Sequence, residues 1–161
     1  DGRYLEEMML DYINSFIKVC TMVFKEFAAC DIKADKVMFI SKEEFQEWEI
    51  SGIITMSGSA HGLAVISMKS VTAIKITNYL TGGHHSFLDD EVVDAIGEII
   101  NIIAGNIKKE LEDEYQLKIS LPRVIKKKAH FVVWPTERER LISIPFKIYD
   151  NETICLSIGI D

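Results

Sequence analysis

Two polar residues three positions apart, Glu98 and Asn101, form the pair in this sequence whose types and spacing best suit chemistry. Residues three or four positions apart lie on the same side of an α-helix. The Glu98 carboxylate can form a charge-assisted bond with a cation, and the Asn101 carboxamide can orient a water molecule. The pair contains no nucleophile, no strong base and no metal cage. We therefore expect it to assist a reaction whose other groups belong to a partner molecule.

The pair belongs to a polar stripe on a helix predicted from about residue 89 to residue 114. Aliphatic side chains recur on the opposite face, a pattern typical of a helix that buries one side and exposes the other. Three acidic residues at 89–91 favour the positive end of the helix dipole in its first turn. Steps of four, three, four and three residues place the following residues on the exposed stripe: Asp94, Glu98, Asn101, Gly105 and Lys108.

Glycines flank the carboxamide, with Gly97 four residues before Asn101 and Gly105 four residues after it. A glycine inside a helix costs roughly 0.5–1 kcal/mol relative to alanine. This cost suggests a notch in which the backbone of another molecule comes close to Asn101. Close packing against a helix or strand of the same chain is the alternative explanation for both glycines.

The segment DDEVVDAIGEIINIIAGNIKKEL resembles the Glu-x-x-Asn signature helix of the CheC/CheX/FliY phosphatases of bacterial chemotaxis, and most closely that of the CheX-type members. The resemblance implies that this helix enters the active site of the phosphorylated response regulator CheY. It also implies that Asn101 orients the water that attacks the aspartyl phosphate, and that Glu98 pairs with a lysine of the regulator. Gly105 and Asn106 match the glycine and the small polar residue of the family pattern.

The same resemblance implies a set of partner-binding residues around the catalytic pair, namely Asp94, Gly97, Gly105 and Lys108. Asp94 and Lys108 are expected at the rim of the contact. No cofactor is expected in this chain, because a regulator of the CheY type brings its own Mg²⁺ and lysine. Phosphoryl transfer depends largely on positioning and electrostatics, so orienting the water is the task left to this chain.

Two other functions remain open at this stage. FliM and FliN relatives share parts of the architecture but act as non-enzymatic components of the flagellar switch, so the chain could bind a regulator without dephosphorylating it. A structural dimerisation domain is the third possibility, and it leaves the glycine notch unexplained. Glu98, Asn101 and both flanking glycines favour the phosphatase.

An internal repeat is predicted, because Asp11 and Asn14 in the first long helix repeat the spacing of Glu98 and Asn101 at an offset of 87 residues. A set of strand-like segments follows each helix, as in a duplicated unit. The residues at the positions of the two flanking glycines are Leu10 and Lys18. These larger side chains would fill the notch, so we expect one working site per chain.

The predicted fold is α+β, a CheC-like duplicated helix-plus-strands unit whose long helices pack on a mostly antiparallel sheet, and residues 1–161 are expected to form one domain. Helices are predicted at 3–29, 70–80 and 89–114. Strands are predicted at 36–40, 49–57, 63–68, 118–124, 129–134, 140–149 and 153–159, with hairpin turns at 58–62 and 150–151.

Composition excludes several classes of function. The net charge of −7 argues against nucleic-acid binding, and no apolar run approaches the roughly 20 residues that cross a bilayer. The first residues lack a signal-peptide pattern, so a cytoplasmic protein is expected. Three cysteines lie in apolar stretches outside any C-x-x-C pair, which predicts buried free thiols: Cys20, Cys30 and Cys155.

Other candidate sites are weak. Adjacent His84 and His85 diverge, and no further ligand stands at zinc spacing. Ser59 directly follows a glycine in a predicted turn, and therefore does not match the G-x-S-x-G nucleophile pattern. A basic run, 126–128, is interpreted as a solvated hairpin or a guard against edge pairing, with a binding patch as the less favoured alternative.

Resemblance to the CheX-type members further implies a homodimer. The C-terminal segments 140–150 and 153–161 are rich in β-branched residues, and an unpaired edge among them would be a template for a second copy. Pro145 argues against the first of these segments being a central strand throughout, because proline cannot donate to a ladder.

Overall fold

A computed structural model of the chain describes residues 2–42, 47–130, 132–134 and 140–161, with the side chains of 2–9 and 140 left out. It confirms the α+β class, with helices packed on a large antiparallel sheet. The helices are α1 (Gly2–Phe27), α2 (Ser70–Thr81) and α3 (Asp90–Glu110). The strands are β1 (Ile32–Ala34), β2 (Met38–Ser41), β3 (Ile50–Gly58), β4 (Gly62–Met68), β5 (Leu117–Ile119), β6 (Arg123–Lys126), β7 (Arg140–Ile148) and β8 (Glu152–Ile160).

The sheet reveals the duplication predicted from the helices. Its order is β1-β7-β8-β4-β3-β5, with β2 also on β7 and β6 also on β3. The unit α1-β1-β2-β3-β4 thus corresponds to α3-β5-β6-β7-β8, and the last strands of the two units, β4 and β8, pair at the centre. Each unit gives its two short strands to the other unit, β1 and β2 to β7, and β5 and β6 to β3. The helix α2 lies between the two units.

The helix α3 is fixed against the sheet by its apolar face. Its buried side chains include Ile96, Ile100 and Ile103, none of which is exposed, and burying each isoleucine contributes about 1.5–3 kcal/mol. The close approach uses Gly52 of β3, where an added Cβ would lie 3.0 Å from Ile100 Cγ2 and 3.2 Å from the Ile96 carbonyl oxygen. This packing leaves the opposite face of α3 for the polar stripe. No helix in the described part of the chain is long and apolar enough to cross a membrane.

The beginning of α3 is capped by Asp89, the first of the three acidic residues at 89–91. The Asp89 side chain accepts a hydrogen bond from the backbone N–H of Val92 at 3.0 Å. The helix ends at Glu110 rather than at 114. The buried Leu111 is its C-cap, and residues 111–114 form a turn.

Several strand predictions were wrong in their bounds. The segment 118–124 divides at 120–122 into β5 and β6, which both pair with β3. The strand predicted at 129–134 is absent from its described residues except for a bridge at His130. Val132 and Trp134 instead pack on Ile53, Leu63 and Val65, on the sheet face opposite the helices, so their apolar pattern reflects contact with a face rather than pairing at an edge. The short strand β1 gave no sequence signal.

Pro145 lies inside a strand that is paired on both sides, contrary to the prediction. Its β8 partner is Cys155, and its carbonyl oxygen accepts a hydrogen bond from Asp35 N at 2.8 Å. The second neighbour of β7 changes there from β1, which ends at Ala34, to β2, which begins at Met38. The missing N–H of Pro145 therefore falls at a gap in the ladder. Both C-terminal strands are interior, so they do not offer the unpaired edge proposed for a dimer.

The three cysteines are free and buried, as predicted. Burial raises the pKa of the Cys20 thiol well above its ordinary value. The basic run begins in β6, where the Lys126 ammonium donates to the Leu88 carbonyl oxygen at 3.2 Å. That bond ties β6 to the loop that leads into α3.

Candidate functional site on helix α3

The polar stripe faces outward. The side chains of Asp94, Glu98, Asn101 and Lys108 are exposed, and Gly105 is half-buried. Gly97 differs from the other predicted site residues because it is buried. The structure therefore brings the predicted catalytic pair together on one exposed surface, with Gly97 beneath it.

A groove opens beside the pair, between α3 and the connection from β5 to β6. We call it the Asn101 groove, and its volume is about 410 Å³. It is lined by Val93, Asp94, Gly97, Glu98, Asn101, Pro122 and Val124. Val93, Pro122 and Val124 were not among the predicted site residues. Val93 lies on the predicted helix, whereas Pro122 and Val124 reach α3 only through the pairing of β6 with β3, and no local pattern encodes that register. The sequence offered one signal for the wall of the groove opposite α3, namely Pro122, which interrupts the strand predicted at 118–124. In the structure the neighbouring Leu121 is 86% exposed.

The two glycines have different surroundings. A Cβ added at Gly97 would lie 3.5 Å from Val124 Cγ2 and 3.6 Å from Pro122 Cγ, which is ordinary contact distance. Packing within the chain thus accounts for a small residue at Gly97 and keeps the floor of the groove low. A Cβ added at Gly105 would meet no atom within 4 Å. Nothing in the described chain requires glycine at position 105. Packing within the chain therefore does not explain why a residue that lowers the stability of the helix stands there.

The polar groups of the pair are uncommitted. Within the described ranges, neither Glu98 nor Asn101 has a hydrogen bond or an ion pair. Nearby asparagines behave differently. The Asn106 amide donates to the Ile102 carbonyl oxygen at 2.9 Å, and the Asn78 side chain bonds the backbone of His85 in both directions. The Asn101 carboxamide is therefore free to hold a water molecule.

The corresponding surface on α1 carries the same polar types without the notch. Asp11, Asn14 and Lys18 are exposed on α1, and Leu10 is 47% exposed. Where α3 has the buried Gly97, α1 thus presents a leucine side chain to solvent.

An ion-pair cluster stands at the start of α3. His85 Nδ1 donates to Asp89 Oδ2 at 2.6 Å, and His85 Nε2 lies 3.3 Å from Glu91 Oε2. The hydrogen bond to Asp89 raises the pKa of His85, and the same bond lowers the pKa of Asp89. Among the described residues, no group of three or more His, Cys, Asp or Glu side chains is arranged to hold a metal ion.

A buried serine and histidine pair lies on the opposite sheet face. Ser51 Oγ is 2.7 Å from His130 Nε2 and 2.7 Å from Ser67 Oγ. His130 Nδ1 is 2.7 Å from the Lys127 carbonyl oxygen, which can only accept, so Nδ1 is the donor in that hydrogen bond. Ser51 is 0% exposed and cannot meet a substrate, so this network holds residues 127–130 to the sheet.

An open groove bordered by uncommitted polar groups on a helix is typical of a protein that acts on another macromolecule, since small substrates are usually enclosed in deeper pockets. The family model of the chemotaxis phosphatase CheX matches residues 50–147, which include all of α3. This match covers more than half of the 161 residues, and the chain belongs to the CheX family.

Similar proteins agree with this assignment. The protein named CheY-P phosphatase CheX of Thermotoga maritima is 27% identical over 101 residues, which are 62% of this chain and 64% of that protein. The match thus spans less than two thirds of that relative. The crystal structure of chemotaxis protein CheX from Vibrio vulnificus has a TM-score of 0.82 and 27% identity, covering 94% of this chain and 99% of that one.

A third similar structure is a complex named CheX-CheY-BeF3-Mg+2 from Borrelia burgdorferi. It has a TM-score of 0.77 and 22% identity, covering 92% of this chain and 97% of that chain. At this identity, the likeness shows a shared fold.

Proposed function

We propose that this protein is a phosphatase that hydrolyses the aspartyl phosphate of a phosphorylated CheY-type response regulator. Support comes from membership in the CheX family, from the name of the Thermotoga maritima relative and from the named partner in the Borrelia burgdorferi complex. The observation that carries the proposal is the exposed, uncommitted Glu98 and Asn101 pair at an open groove.

In the proposed reaction, a water oxygen attacks the phosphorus atom while the bond from phosphorus to the aspartyl oxygen breaks. The electron pair of that bond leaves with the aspartate carboxylate, and the protons of the water stay with the inorganic phosphate. The Asn101 carboxamide holds the attacking water in line with the breaking bond, which supplies positioning without a proton transfer to this chain. The regulator supplies its own Mg²⁺ and lysine, which neutralise charge on the phosphoryl group.

Glu98 is assigned to recognition of the regulator. Its carboxylate is one helical turn before Asn101, and it forms a charge-assisted bond with a regulator lysine that fixes the register in which the carboxamide enters. Gly105 leaves room for the regulator backbone on the open side of Asn101. Gly97 lowers the floor of the groove on the other side, and Asp94 and Lys108 contact the rim.

The proposal is tested by adding the purified protein to a CheY-type regulator that has been phosphorylated with a small phosphodonor and then freed of it. We expect phosphate release to accelerate in proportion to the concentration of the protein. An unchanged lifetime of the phosphorylated regulator would contradict the proposal. Tight binding of the regulator with an unchanged lifetime would instead indicate a non-enzymatic binding module.

A further inference from the structure

A second groove lies on the other side of the polar stripe from the Asn101 groove. We call it the apolar groove. It is bordered by the C-terminal ends of α1 and α2 and by the outer surface of α3, and its volume is about 270 Å³. Its apolar lining consists of Phe27, Leu80, Ala95, Ile99 and Ile102.

The walls of the apolar groove are large side chains that remain in contact with water. Phe27 is 48% exposed and Leu80 is 37% exposed, whereas Ile99 at the floor is 2% exposed. Removing apolar surface from water contributes about 25 cal/mol for each Å². Clustered exposed side chains around a concave surface therefore favour an apolar guest.

The rim of the apolar groove is acidic. It carries Glu91, Asp94 and Glu98, and the last two also line the Asn101 groove. His85 lies 3.3 Å from Glu91, but no described residue forms an ion pair with Asp94 or Glu98. Apolar walls below uncompensated carboxylates fit a guest with an apolar body and a cationic tip, as in a lysine or arginine side chain.

The size of a specific protein contact also requires surface beyond the catalytic pair. Stable interfaces bury about 800 Å² on each partner. Glu98 and Asn101 occupy one turn of a single helix, which supplies only a small part of that area. The apolar groove is continuous with the stripe through Asp94 and Glu98, so a partner seated over Glu98 already lies against it.

We propose that the apolar groove is a second docking site for the response regulator, and that it receives a basic, amphipathic segment of that regulator while the phosphorylated loop enters the Asn101 groove. This inference rests on the proposed function for the identity of the partner. The α3 stripe then acts as a ridge that the regulator straddles. The apolar groove contributes to affinity, and the Asn101 groove contributes to turnover.

The test uses the full chain with Phe27→Ala and Leu80→Ala combined, which shortens both walls. Binding is measured by titrating labelled regulator carrying beryllium fluoride in place of the phosphoryl group, and turnover is measured by phosphate release. We expect the Kd and the KM to rise about tenfold, the scale of a lost apolar anchor, with kcat changed less than about twofold.

Val71→Ala is the matched control, because Val71 is also an exposed apolar residue of α2, at 51%, but lies outside the groove. It should bind the regulator as the unaltered protein does. A second variant, Leu80→Arg, guards against misfolding of the double variant, since a cation in the last turn of a helix is favourable. Its guanidinium would occupy the acidic rim from within the chain, and we expect it to weaken binding at least tenfold.

The outcomes separate this inference from the proposed function. Unaltered affinity in both groove variants, together with inactivity of Asn101→Ala, would overturn the second docking site and leave the phosphatase intact. If the unaltered protein binds the regulator without dephosphorylating it, the Kd values alone decide the docking site. If the unaltered protein does not bind the regulator at all, both proposals fall.

Discussion

The side chain of Asn101 differs from those of Asn106 and Asn78 in having no hydrogen bond to a described residue. The side-chain amides of Asn106 and Asn78 donate hydrogen bonds to backbone carbonyl oxygens. Asn101 is exposed at the edge of a groove and has no hydrogen bond to a described residue. A polar residue in mid-helix that makes no local bond stabilises the fold very little. We therefore propose that Asn101 acts through contacts with another molecule.

Asn101→Ala should leave folding and regulator binding nearly unchanged and should lower the rate of dephosphorylation about 10²–10³-fold, the scale seen when one preorganised polar group is lost at a reacting centre. Phosphate release with saturating regulator is the measurement. The control is Asn14→Ala, the same change at the equivalent position of α1, which should keep full turnover. A folded Asn14→Ala protein that lost half of its activity would reveal a second working site.

Gly105 allows a graded test of the open side. Because a Cβ at Gly105 meets no atom within 4 Å, Gly105→Ala should raise the free energy of unfolding by about 0.5–1 kcal/mol through helix propensity. Gly105→Leu should also fold, but its isobutyl group would fill the space beside Asn101 and reduce phosphate release. Chemical denaturation and the turnover assay check the two expectations. Full activity of Gly105→Leu would refute the close approach of a partner backbone.

At the scale of the elements, periodicity predicted α3 well and strand pairing poorly. The apolar repeat indicated a helix over 89–114, and the structure has Asp90–Glu110. The repeat depends on local spacing, which the sequence displays directly. Pro122 and Val124 reach the site only through pairing of β6 with β3, a long-range contact that no single segment encodes. The wall of the groove opposite α3 therefore could not be predicted from the sequence.

The cap of α3 should make stability depend on pH. The hydrogen bond to Asp89 raises the pKa of His85 above 6.5. The contribution of protonated His85 to the free energy of unfolding is therefore fully present below pH 6.5 and is lost as the pH rises through the raised pKa. The same hydrogen bond lowers the pKa of Asp89 below 3.8. The contribution of ionised Asp89 to the free energy of unfolding is therefore present above pH 3.8 and is lost as the pH falls through the lowered pKa. The ion pair between His85 and Asp89 is therefore most stabilising between pH 3.8 and pH 6.5.

His85→Ala should therefore lower the Tm most near pH 5, with a smaller difference at alkaline pH. Thermal unfolding followed by circular dichroism at both pH values checks this expectation. His84→Ala, at the exposed neighbouring histidine, is the control and should change little at either pH. Equal losses for His85→Ala at both pH values would show that the ion pair does not contribute.

At the scale of the whole molecule, the two duplicated units share one sheet. Each unit's short strands complete the other unit's half of the sheet, so neither half has its full pairing alone. The repeat was visible in the sequence as the 87-residue offset between the helices, because both helices keep the same polar spacing. The exchange of strands was not visible, because it depends on which edges meet in space.

A homodimer remains a prediction, and the sheet order changes where its contact should form. Since β7 and β8 are interior, strand pairing between copies through the described strands would use the short strands β1, β2, β5 or β6. We favour β2, where Met38 is 47% exposed and Phe39 is 38% exposed, because two-fold pairing of that strand would place a neighbouring strand beside these side chains, one on each face of the sheet. Met38→Glu would place like charges close together across such an axis.

Met38→Glu should therefore convert a dimer into a monomer of 18.3 kDa, measured by sedimentation equilibrium at micromolar concentration. Val71→Glu is the matched control, because it adds the same charge at a similarly exposed apolar residue on α2 and should leave the dimer intact. A dimer that survives Met38→Glu would exclude β2 as the contact. A monomeric unaltered protein that dephosphorylates the regulator at full rate would refute the dimer and leave the roles of Glu98 and Asn101 standing, because both side chains lie within one chain.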